Sequence, residues 1–101
     1  MIVEVEKIVV TRHEGLVAYL REIGLIDAST PVVAHASIET VVGKHVIGVL
    51  PLSLAAAATR VTEIPMALPQ ELRGKELSLE DMRRFAGAPV TYVVRMELEG
   101  F

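Results

Sequence analysis

The chain has 101 residues, 51% of them hydrophobic and nearly all of those aliphatic, with no cysteine and a formal net charge of −3. That length fits one domain able to bury roughly two thirds of its unfolded-chain surface without staples. The missing cysteines exclude disulfides and thiolate metal sites and point to the cell interior, and the acidic balance argues against a general binder of long nucleic acid while leaving room for a small anion held by a few cations.

The start, "MIVEVEK", alternates and is acidic, unlike the basic and then apolar beginning of a secretory leader. The longest uncharged run, Val46 to Thr59, is 14 residues and contains Pro51, too short to span a bilayer. A cytoplasmic protein with no membrane contact is expected. The aliphatic excess in so small a chain leaves apolar surface for a partner, and a homodimer is the commonest solution.

Glu6 to Thr11 reads as a first strand, a continuous β-branched run of the kind covered on both faces. Gly15 to Ile23 reads as a helix, with Leu16, Tyr19, Leu20 and Ile23 at spacings of three and four, and Gly24 fits its stop. Pro31 to Ala36 is a second strand, Ser37 to Lys44 a loop turning at Gly43, and His45 to Leu50 a third strand. Leu52 to Arg60 reads as a short helix whose four consecutive alanines suit close approach to a sheet. Val61 to Leu68 is a fourth strand weakened by Pro65, Pro69 to Leu77 a charged loop, Ser78 to Ala86 a third helix and Pro89 to Leu98 a last strand at an edge.

This alternation predicts an α/β fold with a mostly parallel sheet of about five strands. The connection between the second and third strands is about eight residues, short for a parallel crossover. Either the third strand runs antiparallel to the second, or the chain passes the sheet and the third strand lies on the far side of the first, giving the order 2-1-3-4. The second arrangement creates a switch point between strands one and three, where ligands of open α/β sheets bind at the carboxyl ends of the strands. Thr11, Arg12 and His13 lie at one of those ends, and Leu50, Pro51, Leu52 and Ser53 at the other.

Thr11-Arg12-His13-Glu14 has the spacing of a capping box, with Thr11 as the cap and the two basic residues in the first helical turn. Cations there oppose the helix dipole by a few tenths of a kcal/mol, roughly, and a bound anion more than offsets this. A solvated turn explains the same residues. Ser53 caps the alanine-rich helix, donates to a ligand, or both. Arg73-Gly74-Lys75 suits a phosphate-gripping loop, or a solvated one paired with Glu71 and Glu76. Ser78 and Asp81 form a second capping-box pattern. His35 and His45 read as structural or surface residues. His13-Glu14 lacks the second histidine of a zincin, and three scattered histidines make a poor metal case. Neither a dinucleotide nor a nucleoside-triphosphate fingerprint is present.

Three segments, "VVTRHEGLVAYLREIGL", "HVIGVLPLSLAA" and "LPQELRGKELSLEDM", resemble the Csx-sixteen family of small type III CRISPR-associated accessory proteins, in the same order from about Ile8 to Met82. The R-H-x-G turn, the I-G-x-L-P strand end and the R-G-x-E-L-S loop carry the likeness together. One departure is Ser53, where the family commonly has Asn, so an amide-specific role does not carry over. The resemblance implies a compact Rossmann-like fold, related to the CARF-like sensor domains of those systems, over the whole chain. It also implies a ring nuclease that linearises cyclic oligoadenylate, with cyclic tetra-adenylate as substrate. The chemistry expected is metal-independent attack of a ribose 2′-OH on its own phosphorus, without a cofactor. Arg12 and His13 would be the catalytic pair, and Thr11, Ser53, Arg73 and Lys75 would hold the ligand. A binding module that sequesters the ligand without cleaving it, or a purely structural subunit, are the competing readings.

Overall fold

The computed structural model describes residues 5–99. Five strands, β1 (Lys7–Val10), β2 (Val32–Val33), β3 (His45–Gly48), β4 (Arg60–Glu63) and β5 (Val90–Tyr92), form one sheet in the order β2-β1-β3-β4-β5. The first four are parallel and β5 is antiparallel to β4. Of the two topologies open from the sequence, the switch-point arrangement is the one adopted, with β1 hydrogen-bonded to both β2 and β3. Helices α1 (Glu14–Glu22), α2 (Ile38–Val41), α3 (Leu52–Ala57) and α4 (Leu79–Phe85) cover the sheet.

Strand alternation divides the core into two layers. The register places Ile8 beside Val46 and Val46 beside Val61, and these pack with Val41 of α2 and Ala55 of α3. Val9 and Ile47, one residue further along, face the other way onto Leu20 of α1 and Ile26. Both faces of the central strands are covered, which is why they read as unbroken apolar runs. Among the described residues no helix is long and apolar enough to cross a membrane.

Several boundaries differ from the sequence reading, each for a local reason. The expected Ser37–Lys44 loop contains α2, closed by a capping box in which Ser37 Oγ accepts from the Thr40 N–H and Thr40 Oγ1 accepts from the Ser37 N–H. The expected second strand, Pro31 to Ala36, keeps only two paired residues at the sheet edge. The fourth strand ends at Glu63 rather than Leu68; Pro65 has no N–H for a ladder, and beyond it the chain makes only an isolated bridge from Met66 to Ala86. The last strand stops at Tyr92 because its partner β4 begins at Arg60 and pairs only from Val61 to Glu63. The helix expected over Leu52 to Arg60 stops at Ala57, leaving Arg60 to open β4. Ser78 caps α4 with Asp81 as the spacing predicts.

Two glycines fix the spacing around the upper end of the sheet. Gly48, the last residue of β3, has φ 147°, and a Cβ there would lie 2.4 Å from the Val10 carbonyl oxygen. Only glycine lets β3 end this close to β1. Gly15, in the first turn of α1, would place a Cβ 2.2 Å from the Leu77 carbonyl oxygen, so α1 rests directly on the chain entering α4.

Candidate functional site

A cleft of about 520 Å³ opens at the carboxyl ends of β1 and β3, at the switch point. Its volume lies within the usual range for small-ligand pockets. Thr11, Arg12 and His13 form one side; Val10, Gly48 and Val49 come from the strand ends; Leu16, Ile64, Met66, Leu77 and Met82 supply an apolar floor. A second cavity, of about 470 Å³, lies among Glu6, Lys7, Asp27, Ser29 and Thr30 near the opposite end of β1. There the Asp27 carboxylate is already satisfied by the Ser29 N–H and hydroxyl and by the Thr30 hydroxyl, which hold it below the ordinary carboxylate range.

The turn before α1 differs from the expected capping box. The N-cap is His13, not Thr11, and Glu14 is the first helical residue. Thr11 Oγ1 instead accepts the His13 N–H at 3.1 Å, a local side-chain turn. Arg12 and His13 therefore precede the helix rather than occupying its first turn. Both are exposed, and the backbone amides of Glu14, Gly15 and Leu16 follow them as the unpaired donors of the helix start.

Arg12 is held by a residue that the sequence reading left as merely structural or surface. Thr11 donates its N–H to the Val33 carbonyl at 2.9 Å, continuing the β1–β2 ladder, and just beyond it Arg12, one residue on, meets His35, two residues on. The Arg12 Nη2 to His35 Nδ1 distance is 3.4 Å. A guanidinium only donates, so Nδ1 is the acceptor in this contact. His13 faces a carboxylate, with Nδ1 3.5 Å from Glu76 Oε1. The sequence signals for both contacts are weak, because 23 and 63 positions separate the partners.

The remaining candidates lie outside this lining. Ser53 is exposed in the first turn of α3 and does not cap it; Pro51 is the cap, and its carbonyl accepts from the Leu54 and Ala55 amides. Arg73 and Lys75 are exposed on the loop before α4, turned by Gly74 at φ 79°. That loop reaches the cleft lining through Leu77 instead, and Glu76 beside it meets His13. Ion pairs among the described residues join Lys44 to Glu6 and Arg83 to Glu22 and Glu80; Arg12, Arg73 and Lys75 are among the cations that have no carboxylate partner there. No group of three or more His, Cys, Asp or Glu side chains among the described residues is placed to hold a metal ion.

His45 is a core residue at the far end of β3. Its Nε2 lies 2.6 Å from Thr62 Oγ1, which lies 2.7 Å from Thr91 Oγ1, and its Nδ1 has no partner. Burial, reinforced by the charges of Arg60 and Lys7, holds the imidazole below the ordinary histidine value of 6.5.

Comparison with curated proteins gave no match, and comparison with solved structures gave none either. The model of a family described as "Putative CRISPR-associated protein (Cas_VVA1548)" matches residues 8–95, a span that takes in β1 from its second residue, β2 to β5 and every residue lining the cleft. The chain with this switch-point cleft belongs to that CRISPR-associated family.

Proposed function

We propose that this protein is a ring nuclease of type III CRISPR defence, in line with its Csx-sixteen resemblance, and that it cleaves cyclic oligoadenylate, cyclic tetra-adenylate foremost. The observation that carries this reading is the composition of the cleft: two exposed basic side chains, Arg12 and His13, beside an apolar floor. Phosphate needs the first and an adenine face suits the second. Membership of a CRISPR-associated family supports the same reading.

The reaction asks little covalent chemistry of the protein. The ribose 2′-oxygen attacks the adjacent phosphorus, the bond from phosphorus to the 5′-oxygen breaks, and a 2′,3′-cyclic phosphate and a 5′-hydroxyl result. One proton leaves the 2′-OH and one arrives at the 5′-oxygen. Arg12, with the free amides of Glu14 to Leu16, stabilises the charge gathering on the phosphorane oxygens. His13 transfers a proton, a role worth roughly 10²–10⁴-fold in rate. A four-nucleotide ring is larger than the cleft, so Ser53, Arg73 and Lys75 hold its outer parts. A symmetric dimer presents two such clefts to one ring, and the exposed Val49 and Leu52 beside the cleft supply apolar surface for the second copy.

Incubation with cyclic tri-, tetra- and hexa-adenylate in EDTA, at large ligand excess, tests the proposal by chromatography of the products. The expected result is repeated turnover of the tetramer to linear products ending in a 2′,3′-cyclic phosphate. Tight binding with the ring recovered intact makes the protein a sequestering module; neither binding nor turnover overturns the reading.

A further inference from the structure

We infer that Glu76 is a positioning residue for His13, orienting its imidazole for proton transfer; this rests on the nuclease reading above. The carboxylate and the imidazole come from distant parts of the chain. They meet because Gly15 lets α1 sit on the Leu77 carbonyl, one residue after Glu76 and two after His13 along their respective chains. A side chain at Gly15 would hold the two segments apart. The close backbone approach brings the two side chains within reach of each other.

The carboxylate faces Nδ1, and this decides the chemistry. An ionised carboxylate only accepts, so it selects the tautomer with the proton on Nδ1. The lone pair then resides on Nε2 of a residue that lines the cleft. There it takes the proton of the 2′-OH, and the imidazolium that forms gains the Glu76 charge as its counter-ion. The N···O separation of 3.5 Å is about 0.5 Å longer than a hydrogen bond, and such contacts in ligand-free sites commonly tighten when substrate binds. With side chains 49% and 70% exposed, both groups have room to close it. The same carboxylate beside an anion site repels phosphate, so it is a poor ligand-binding group and its value lies in what it does to His13.

The test uses the full chain with Glu76→Ala and Glu76→Gln. With cyclic tetra-adenylate, Glu76→Ala should lower kcat about 10-fold, less than losing a proton-transfer group outright, with KM changed by less than about twofold. Glu76→Gln keeps an acceptor oxygen and should recover part of that loss. Nitrogen-15 spectra of histidine-labelled protein above the histidine titration range should show the Nδ1–H tautomer of His13 favoured in the wild type and reduced in Glu76→Ala. Unfolding midpoints should coincide, since Glu76 is exposed. Wild-type kcat in Glu76→Ala, or a His13 tautomer indifferent to the substitution, overturns the inference. A wild type inert toward the ring, with the tautomer shift intact, overturns the nuclease reading while the His13–Glu76 couple stands.

Discussion

Arg12 and His13 sit side by side but are held from opposite directions, Arg12 by His35 beyond β2 and His13 by Glu76 before α4. Their roles should separate in mutants. A charge-assisted hydrogen bond to phosphate is worth about 1.5–3 kcal/mol, so Arg12→Ala should weaken ring binding by roughly 10- to 150-fold, read by calorimetric titration. His13→Ala should leave binding within a few-fold, roughly, and lower single-turnover cleavage by about 10²–10⁴-fold. Both side chains are exposed, so neither change should move the unfolding midpoint appreciably. A double mutant that still cleaves at the wild-type rate would remove the site assignment. Thr11 was legible as a turn residue, but its partner was not. The spacing of a capping box is satisfied equally by a hydroxyl that accepts from the second residue on, and here the local turn wins.

At the level of elements, the antiparallel edge strand β5 pairs with β4 over three residues, and a partly buried polar chain ties it in. Thr62 links His45 on β3 to Thr91 on β5, so three strands share one hydrogen-bond line. The titration of the His45 imidazole is pushed below the ordinary value of 6.5 by burial and by the charges of Arg60 and Lys7. As pH falls through 6.5 the unfolded chain takes up this proton while the folded chain does not. The stability contribution is therefore full above that value and is lost as pH falls below it. The urea midpoint should drop between about pH 8 and about pH 5.5, above the carboxylate range, and His45→Gln should flatten that drop. An unchanged wild-type midpoint across that interval would show that burial does not control this histidine. The exposed pair of Arg83 with Glu22 joins α4 to α1 and lowers the glutamate's titration range, a contact outside the histidine interval.

Taken whole, the molecule has a sheet covered on both faces by short helices, with large aliphatic side chains left over at the surface. Val49 and Leu52 are 78% and 76% exposed and sit at the carboxyl end of β3, beside the cleft. The proposed dimer would bury them and bring two clefts to one ring. Light scattering should give the mass of two chains, and Val49→Asp with Leu52→Asp should give the mass of one, because two charges in an apolar contact would lose their hydration without gaining partners. A wild type with the mass of one chain would overturn the dimer.

The sequence by itself determined the number and kind of the main elements, since apolar runs and helical spacing are local consequences of what each segment must bury. It placed Thr11, Arg12 and His13 at a strand end, and it specified the Ser78 cap. It missed α2, whose signal is a single Ser37–Thr40 pair, and it overextended the strands at the sheet edge, where length depends on how many residues the neighbour offers. The choice between two sheet orders belonged to the tertiary structure. So did the assembly of the cleft: Arg12 meets His35, and His13 meets Glu76, only after β1 pairs with β2 and Gly15 admits the Leu77 carbonyl. Ser53, Arg73 and Lys75 were nominated by residue type, by their place after strand ends and by the resemblance, and they lie outside the cleft lining. Residue type and spacing report what a side chain can do; which groups share a site is fixed by strand register and backbone close approach, and those are properties of the folded chain.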